Sequence, residues 1–110
     1  MAFSATGGTV LVDGAYTVHT FTSSGTLVCT DSMGPDDVEV LVVAGGGGGA
    51  NYPSAGCGGG GGGGVLAGTE TLTGDMAVTV GDGGAGGDST THRKGYSGGN
   101  SVFGTRTAHG

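Results

Sequence analysis

Gly95-Tyr96-Ser97-Gly98-Gly99 fits G-x-S-x-G, the pattern that places a nucleophilic serine on a sharp strand-to-helix turn. That chemistry needs a buried strand before Ser97 and a helix after it, and the sequence predicts neither. With 30 glycines among 110 residues, such a match arises by chance. The G-x-G-x-x-G matches inside the glycine runs are equally empty, since a dinucleotide fingerprint needs a helix behind the loop and a phosphate loop needs Gly-Lys-Ser/Thr, which Lys94 lacks. Residues 83–88 begin like the calcium-binding nonapeptide repeat. That site shares ligands between stacked copies, whereas one copy is present here, with Thr90 where an apolar residue belongs. Asp82 and Asp88 are therefore not expected to hold calcium.

The other titratable groups read as structural. Asp31, Asp36 and Asp37 flank a turn at Met33-Gly34-Pro35 and are expected to be solvated carboxylates. Cys29 and Cys57 have no neighbouring His or Cys to complete a zinc site, and two thiols are expected rather than a disulfide. His19 lies mid-strand, where a hydrogen-bonded structural role is expected. No acid, base and nucleophile converge, so no enzymatic activity, metal or cofactor is expected. What remains is one basic and aromatic cluster, His92, Arg93, Lys94 and Tyr96, together with Tyr52 beside Pro53 at the tip of the first glycine turn. Loop tips on a rigid base commonly carry binding residues, so these five are the expected surface contacts, for an acidic partner or a glycan.

Nine acidic residues face Arg93, Lys94 and Arg106, a net charge of -6. Three cations cannot neutralise many phosphates, which argues against nucleic acid and against anionic membrane surfaces. No apolar run approaches the roughly 18 residues of a membrane span, so no membrane insertion is expected. Met1-Ala2-Phe3-Ser4 has neither the basic end nor the apolar stretch of a signal peptide, which predicts synthesis and assembly in a cytoplasm.

The elements that must position these residues are strands. Val and Thr alternate in short runs, and helix formers never gather at 3.6-residue spacing. Strands are predicted over 9–13, 16–22, 26–30, 38–44, 65–73, 76–80 and 101–103, with turns at Asp13-Gly14 and Ser23-Ser24-Gly25 and a hairpin at Thr73-Gly74-Asp75. Val38, Val40 and Val42 share one face of their strand, while Glu39 opens the other and Leu41 and Val43 follow, which predicts a central strand that begins half-exposed and ends buried on both sides. Met76, Val78 and Val80 alternate one-sidedly. The expected core is Val10, Val12, Val18, Phe21, Leu27, Val38, Val40, Val42, Leu66, Leu72, Val78, Val80 and Phe103. The whole chain, 1–110, is expected to form one all-β domain, a small antiparallel sandwich.

The glycine tracts run straight on from these strands. Residues 45–49 follow one strand, 58–64 precede the next, 81–87 follow another, and 98–99 lead into the last. All should leave the sheet at one end, side by side and alternating in direction. Extended glycine chains adopt the polyproline-II shape, with three residues per turn and about 3.1 Å rise. Without side chains, such chains approach closely enough for backbone hydrogen bonds. The expected architecture is a β-sandwich with a polyglycine-II-like layer (45–64, 81–87 and 98–99) growing from one end, its amides protected through 58–64.

The run 16–27, Val38-Glu39-Val40-Leu41-Val42-Val43-Ala44 with its glycines, the tract 58–65, Val78-Thr79-Val80 with residues 81–87, and Gly99 through Gly104 together resemble the glycine-rich domain of tailed-bacteriophage structural proteins, often tail-fibre or minor tail proteins. The resemblance runs from about Gly7 to Gly104. It implies a non-enzymatic virion component. If residues 1–110 are the whole protein, no shaft or attachment segment remains, which favours a small accessory protein on a larger assembly. The expectation is a capsid decoration or head-surface protein that binds the major capsid protein, or another virion protein, through its sandwich end or residues 1–6, as a homo-oligomer or in symmetric copies. The alternative is a tail-fibre or receptor-binding module whose tips touch a host surface glycan or protein.

Overall fold

The computed structural model describes residues 5–29, 36–52, 56–72, 74–88, 90 and 93–110. The predicted turn at Met33-Gly34-Pro35, with Asp31, and the contact residue His92 lie outside them. The described residues contain strands and no helix. The strands are β1 (Ala5–Thr6), β2 (Thr9–Asp13), β3 (Tyr16–Thr20), β4 (Gly25–Cys29), β5 (Asp36–Val43), β6 (Val65–Leu72), β7 (Met76–Thr79), β8 (Ser101–Phe103) and β9 (Arg106–Ala108). Every pairing is antiparallel. One sheet has the order β1–β4–β7–β8–β9, while β2–β3 and β5–β6 are separate two-stranded ribbons. The β5–β6 ribbon lies against β8 and β9, which gives two layers.

The core between the layers is Leu27, Val42, Ala44, Leu72, Phe103 and Ala108, with Phe21, Val38, Val40, Met76 and Val78 packed around it. The all-β, antiparallel fold is the one expected, but five predicted core residues lie outside, the partly buried Val80 among them. Val10, Val12 and Val18 are exposed because β2 and β3 hydrogen-bond only to each other, and Leu66 is also exposed. Nor is β5 buried on both faces. Leu41 and Val43 are 68% and 50% exposed, because the ribbon is covered from one side only, the side of Val38, Val40 and Val42. The predicted hairpin at Thr73-Gly74-Asp75 is also corrected, since β7 pairs with β4 and β8 and not with β6. The chain there crosses from one layer to the other. Cys29 N–H donates to Asp75 Oδ1 (3.0 Å), and the Cys29 thiol donates to the Gly74 carbonyl (3.0 Å), which fixes the crossing to the end of β4.

Two true hairpins have the same turn chemistry. Gly14 (φ 60°) and Gly104 (φ 61°) each stand first in a two-residue loop, Gly14-Ala15 and Gly104-Thr105, the Gly-x arrangement of a type II′ turn. Strands β1 and β9 are not among those expected, because Ala5-Thr6 and Arg106-Thr107-Ala108 carry no large apolar residue.

One ion pair ties the layers together. Arg106 Nη2 donates to the Thr69 carbonyl at 2.6 Å, and its Nε lies 3.2 Å from Glu70 Oε2, although misaligned for a hydrogen bond. A Cβ on Gly68 in mid-strand would come within 2.6 Å of this guanidinium, which would have to shift. Glu70→Gln removes the charge and keeps an acceptor for Thr105 Oγ1. With Arg106 and Glu70 partly exposed, the expected loss in urea unfolding is about 1 kcal/mol.

Candidate functional site

Four extended segments leave the strands: 44–51 after β5, 58–64 before β6, 81–88 after β7 and 93–100 before β8. Their backbone hydrogen bonds repeat every third residue. Ala44, Gly47 and Ala50 donate to Gly64, Gly61 and Gly58 of the second segment (2.9, 2.9 and 3.0 Å). Gly45, Gly48 and Asn51 donate to Gly99, Tyr96 and Arg93 of the fourth (3.0, 2.9 and 2.8 Å). Gly46 and Gly49 accept from Gly84 and Gly87 of the third (2.7 and 2.8 Å). The first segment thus turns a new row toward each of three neighbours, the three-residue period of a polyproline-II helix. Tyr96 and Gly99 also donate to Ala85 and Asp82 (2.8 Å each), closing the first, third and fourth segments into a triangle.

The segments therefore surround the first one and do not form a single flat row. The first and third run parallel, and the second and fourth run back. At about 3.1 Å per residue, 44–51 spans about 25 Å, a large share of the molecule's 62 Å long axis. The donors also correct one expectation. Gly58 through Gly63 give no N–H to any acceptor among the described residues, and within the second segment only Gly64 donates, to His109 (2.8 Å). Amide protection in this fold belongs to the first, third and fourth segments.

Within the segments glycine is sterically required at every third position, and also at Gly64, where a Cβ would come within 2.8 Å of the His109 carbonyl. A Cβ on Gly81, Gly84 or Gly87 would overlap the carbonyl of Gly99, Tyr96 or Arg93, and one on Gly95 or Gly98 that of Gly48 or Gly45. Gly60 and Gly63 meet Gly47 and Ala44 in the same way. Between the required positions the third and fourth segments carry Asp82, Ala85, Tyr96 and Ser97. The G-x-S-x-G match is this row. Gly95 and Gly98 are the two close-packed glycines, and Ser97 is an exposed residue between them. The sequence carries this repeat as G-x-x from 81 to 87.

The tip of the bundle holds the predicted contact residues. The Arg93 guanidinium stands over the Tyr52 ring, 5.8 Å from its centroid, within cation–π range. Asn51 N–H donating to the Arg93 carbonyl holds the two strands of the tip together. Tyr52 N–H donates to Cys57 Sγ (3.0 Å), which steadies the return into the second segment. Tyr96 lies one turn back on the Arg93 row, about 9 Å along the segment, with its ring half exposed and its backbone bonded on both sides. Lys94 is exposed at the same end. Tyr52 and Arg93 are thus brought together, while Tyr96 is set apart from them.

The remaining residues behave as structural groups. His19 Nδ1 lies 2.8 Å from the Gly7 carbonyl. Asp88 Oδ1 accepts from Thr90 N–H (2.9 Å), a local turn bond. No three His, Cys, Asp or Glu side chains come together as a metal site among the described residues, and Cys29 and Cys57 form no disulfide. Among the described residues no helix is long and apolar enough to cross a membrane.

A family model described as a glycine-rich domain matches residues 22–110. The chain belongs to the glycine-rich domain family. The match takes in β4 to β9 and all four segments, so the glycine-rich domain comprises the bundle and both layers apart from β1, and β1 and the β2–β3 ribbon precede it. No curated protein and no solved structure matches the chain.

Proposed function

We propose that this chain is a non-enzymatic structural protein of a tailed-bacteriophage particle, a capsid decoration or head-surface protein that adheres by its β-rich end and projects the glycine bundle. The observation that carries this reading is the β2–β3 ribbon. Val10, Leu11, Val12, Tyr16 and Val18 on it are between 41% and 71% exposed, on both of its faces. A lone two-stranded ribbon is marginal in water, and apolar side chains gathered this way mark a surface that another protein covers. The partner is the major capsid protein or another virion protein. The particle is the chain's location, after assembly in the host cytoplasm.

Cryo-electron microscopy of purified heads tests this reading. Density for the chain on the shell is expected, with β2–β3 at the contact. A Leu11→Asp, Val18→Asp variant is expected to be absent from heads. Heads lacking the wild-type chain overturn the proposal.

A second reading, a tail-fibre or receptor-binding module, is favoured by the Arg93–Tyr52 pair at the bundle tip. An exposed cation and an aromatic face are the groups that contact a host glycan or an acidic protein surface. This reading expects purified protein to adsorb to host cells and Arg93→Ala to reduce adsorption by about tenfold, the factor that 1.4 kcal/mol represents.

A further inference from the structure

The second glycine segment has a face that this fold leaves open. A Cβ on Gly58, Gly59, Gly61 or Gly62 meets no atom within 4 Å, and all four residues are exposed. At its uncrowded positions the third segment mixes side chains with glycine (Asp82, Gly83, Ala85, Gly86), whereas 58–64 keeps glycine at all seven positions. Glycine costs backbone entropy on ordering, and packing within the chain requires it only at Gly60 and Gly63 plus the crowded Gly64. The N–H groups of Gly58 through Gly63 also find no acceptor among the described residues. The strip runs on into the uncovered face of β5–β6, where Leu41, Val43 and Val65 are 68%, 50% and 60% exposed, with Val43 opposite Val65 and Leu41 opposite Ala67.

We infer that a second copy of this chain docks here, its own segment 58–62 lying against this one across a two-fold axis. Three observations select that occupant. A backbone with open N–H groups and no side chains can be approached to hydrogen-bonding distance by another side-chain-free extended segment, and each copy carries one. An isologous contact of this kind pairs the patch with itself and closes at two copies. The strip from Leu41 to Gly58 is uncharged apart from the rim at Glu39, so two chains of net charge -6 can meet along it. The chain exposes 6804 Å² in all, about 1,400 Å² more than a compact monomer of its mass, surface to which this strip and the β2–β3 ribbon both contribute. This inference is independent of what the chain adheres to.

Sedimentation equilibrium and amide exchange on the full chain test it. A dimer is expected at micromolar concentration, with Gly59 through Gly62 amides protected although the single chain offers them no acceptor. Leu41→Glu with Val65→Glu, and separately Gly61→Val, are expected to give monomers with unchanged far-UV circular dichroism and fast exchange at 59–62. The Gly61→Val change is aimed into open space, so its own fold is spared. A wild-type monomer at high micromolar concentration overturns the inference. So does a dimer that survives both variants, because its contact then lies elsewhere.

Discussion

Gly84→Ala is expected to lower the unfolding free energy by about 3 kcal/mol, while Gly83→Ala next to it leaves stability unchanged or raises it by about 0.5 kcal/mol. The two glycines look alike in the sequence. In the bundle a Cβ on Gly84 overlaps the Tyr96 carbonyl, and on Gly83 the nearest atom is the Gly46 oxygen at an ordinary 3.8 Å. Relieving the first clash means moving the third segment away from the fourth. That strains the Gly84-to-Gly46 bond and the bonds from Tyr96 and Gly99 to Ala85 and Asp82, each worth about 1 kcal/mol net. At Gly83 the added methyl restricts the unfolded chain and costs the folded one nothing. Paired urea titrations give the comparison. Equal midpoints for the two variants would mean that the segments do not pack at this distance.

Leu72→Ala is expected to cost about 2–5 kcal/mol, a large share of the 5–15 kcal/mol typical of a domain. Leu72 ends β6, is 1% exposed and is the largest side chain fully enclosed among the described residues. The core holds few large residues, because two of its six buried members are alanines, Ala44 and Ala108. Little can move in to fill the space a truncated Leu72 leaves. Val12→Ala, at a site 71% exposed, is expected to stay within about 0.5 kcal/mol. Thermal unfolding of the two variants separates them clearly. A Leu72→Ala midpoint matching that of Val12→Ala would place the core elsewhere.

The candidate site was legible in part. Tyr52 could be placed at a tip because Pro53 and the flanking glycines signal a turn, and Arg93 could be placed near it because the excursion after residue 87 had to return. Their stacking could not be read, because it depends on Asn51 meeting the Arg93 carbonyl across two segments about forty residues apart. The G-x-x rhythm of 81–87 and 95–98 was a usable signal for close backbone contact, hidden by the sheer number of glycines.

Local chemistry determined the strands. Alternation placed Met76 and Val78 on one face, β-branched runs excluded helix, and Gly14 after Asp13 marked the first hairpin, whose loop is Gly14-Ala15, because side-chain direction and turn preference act within a few residues. Which alternating faces would be covered was decided by the tertiary structure alone. Val12 and Val42 have the same side chain in similar runs, yet one is exposed and the other buried, because only β5 is pressed against a second layer. The same holds for the glycines. Their lack of a Cβ permits close approach everywhere, and only the arrangement of three segments around the first decides which of them need it.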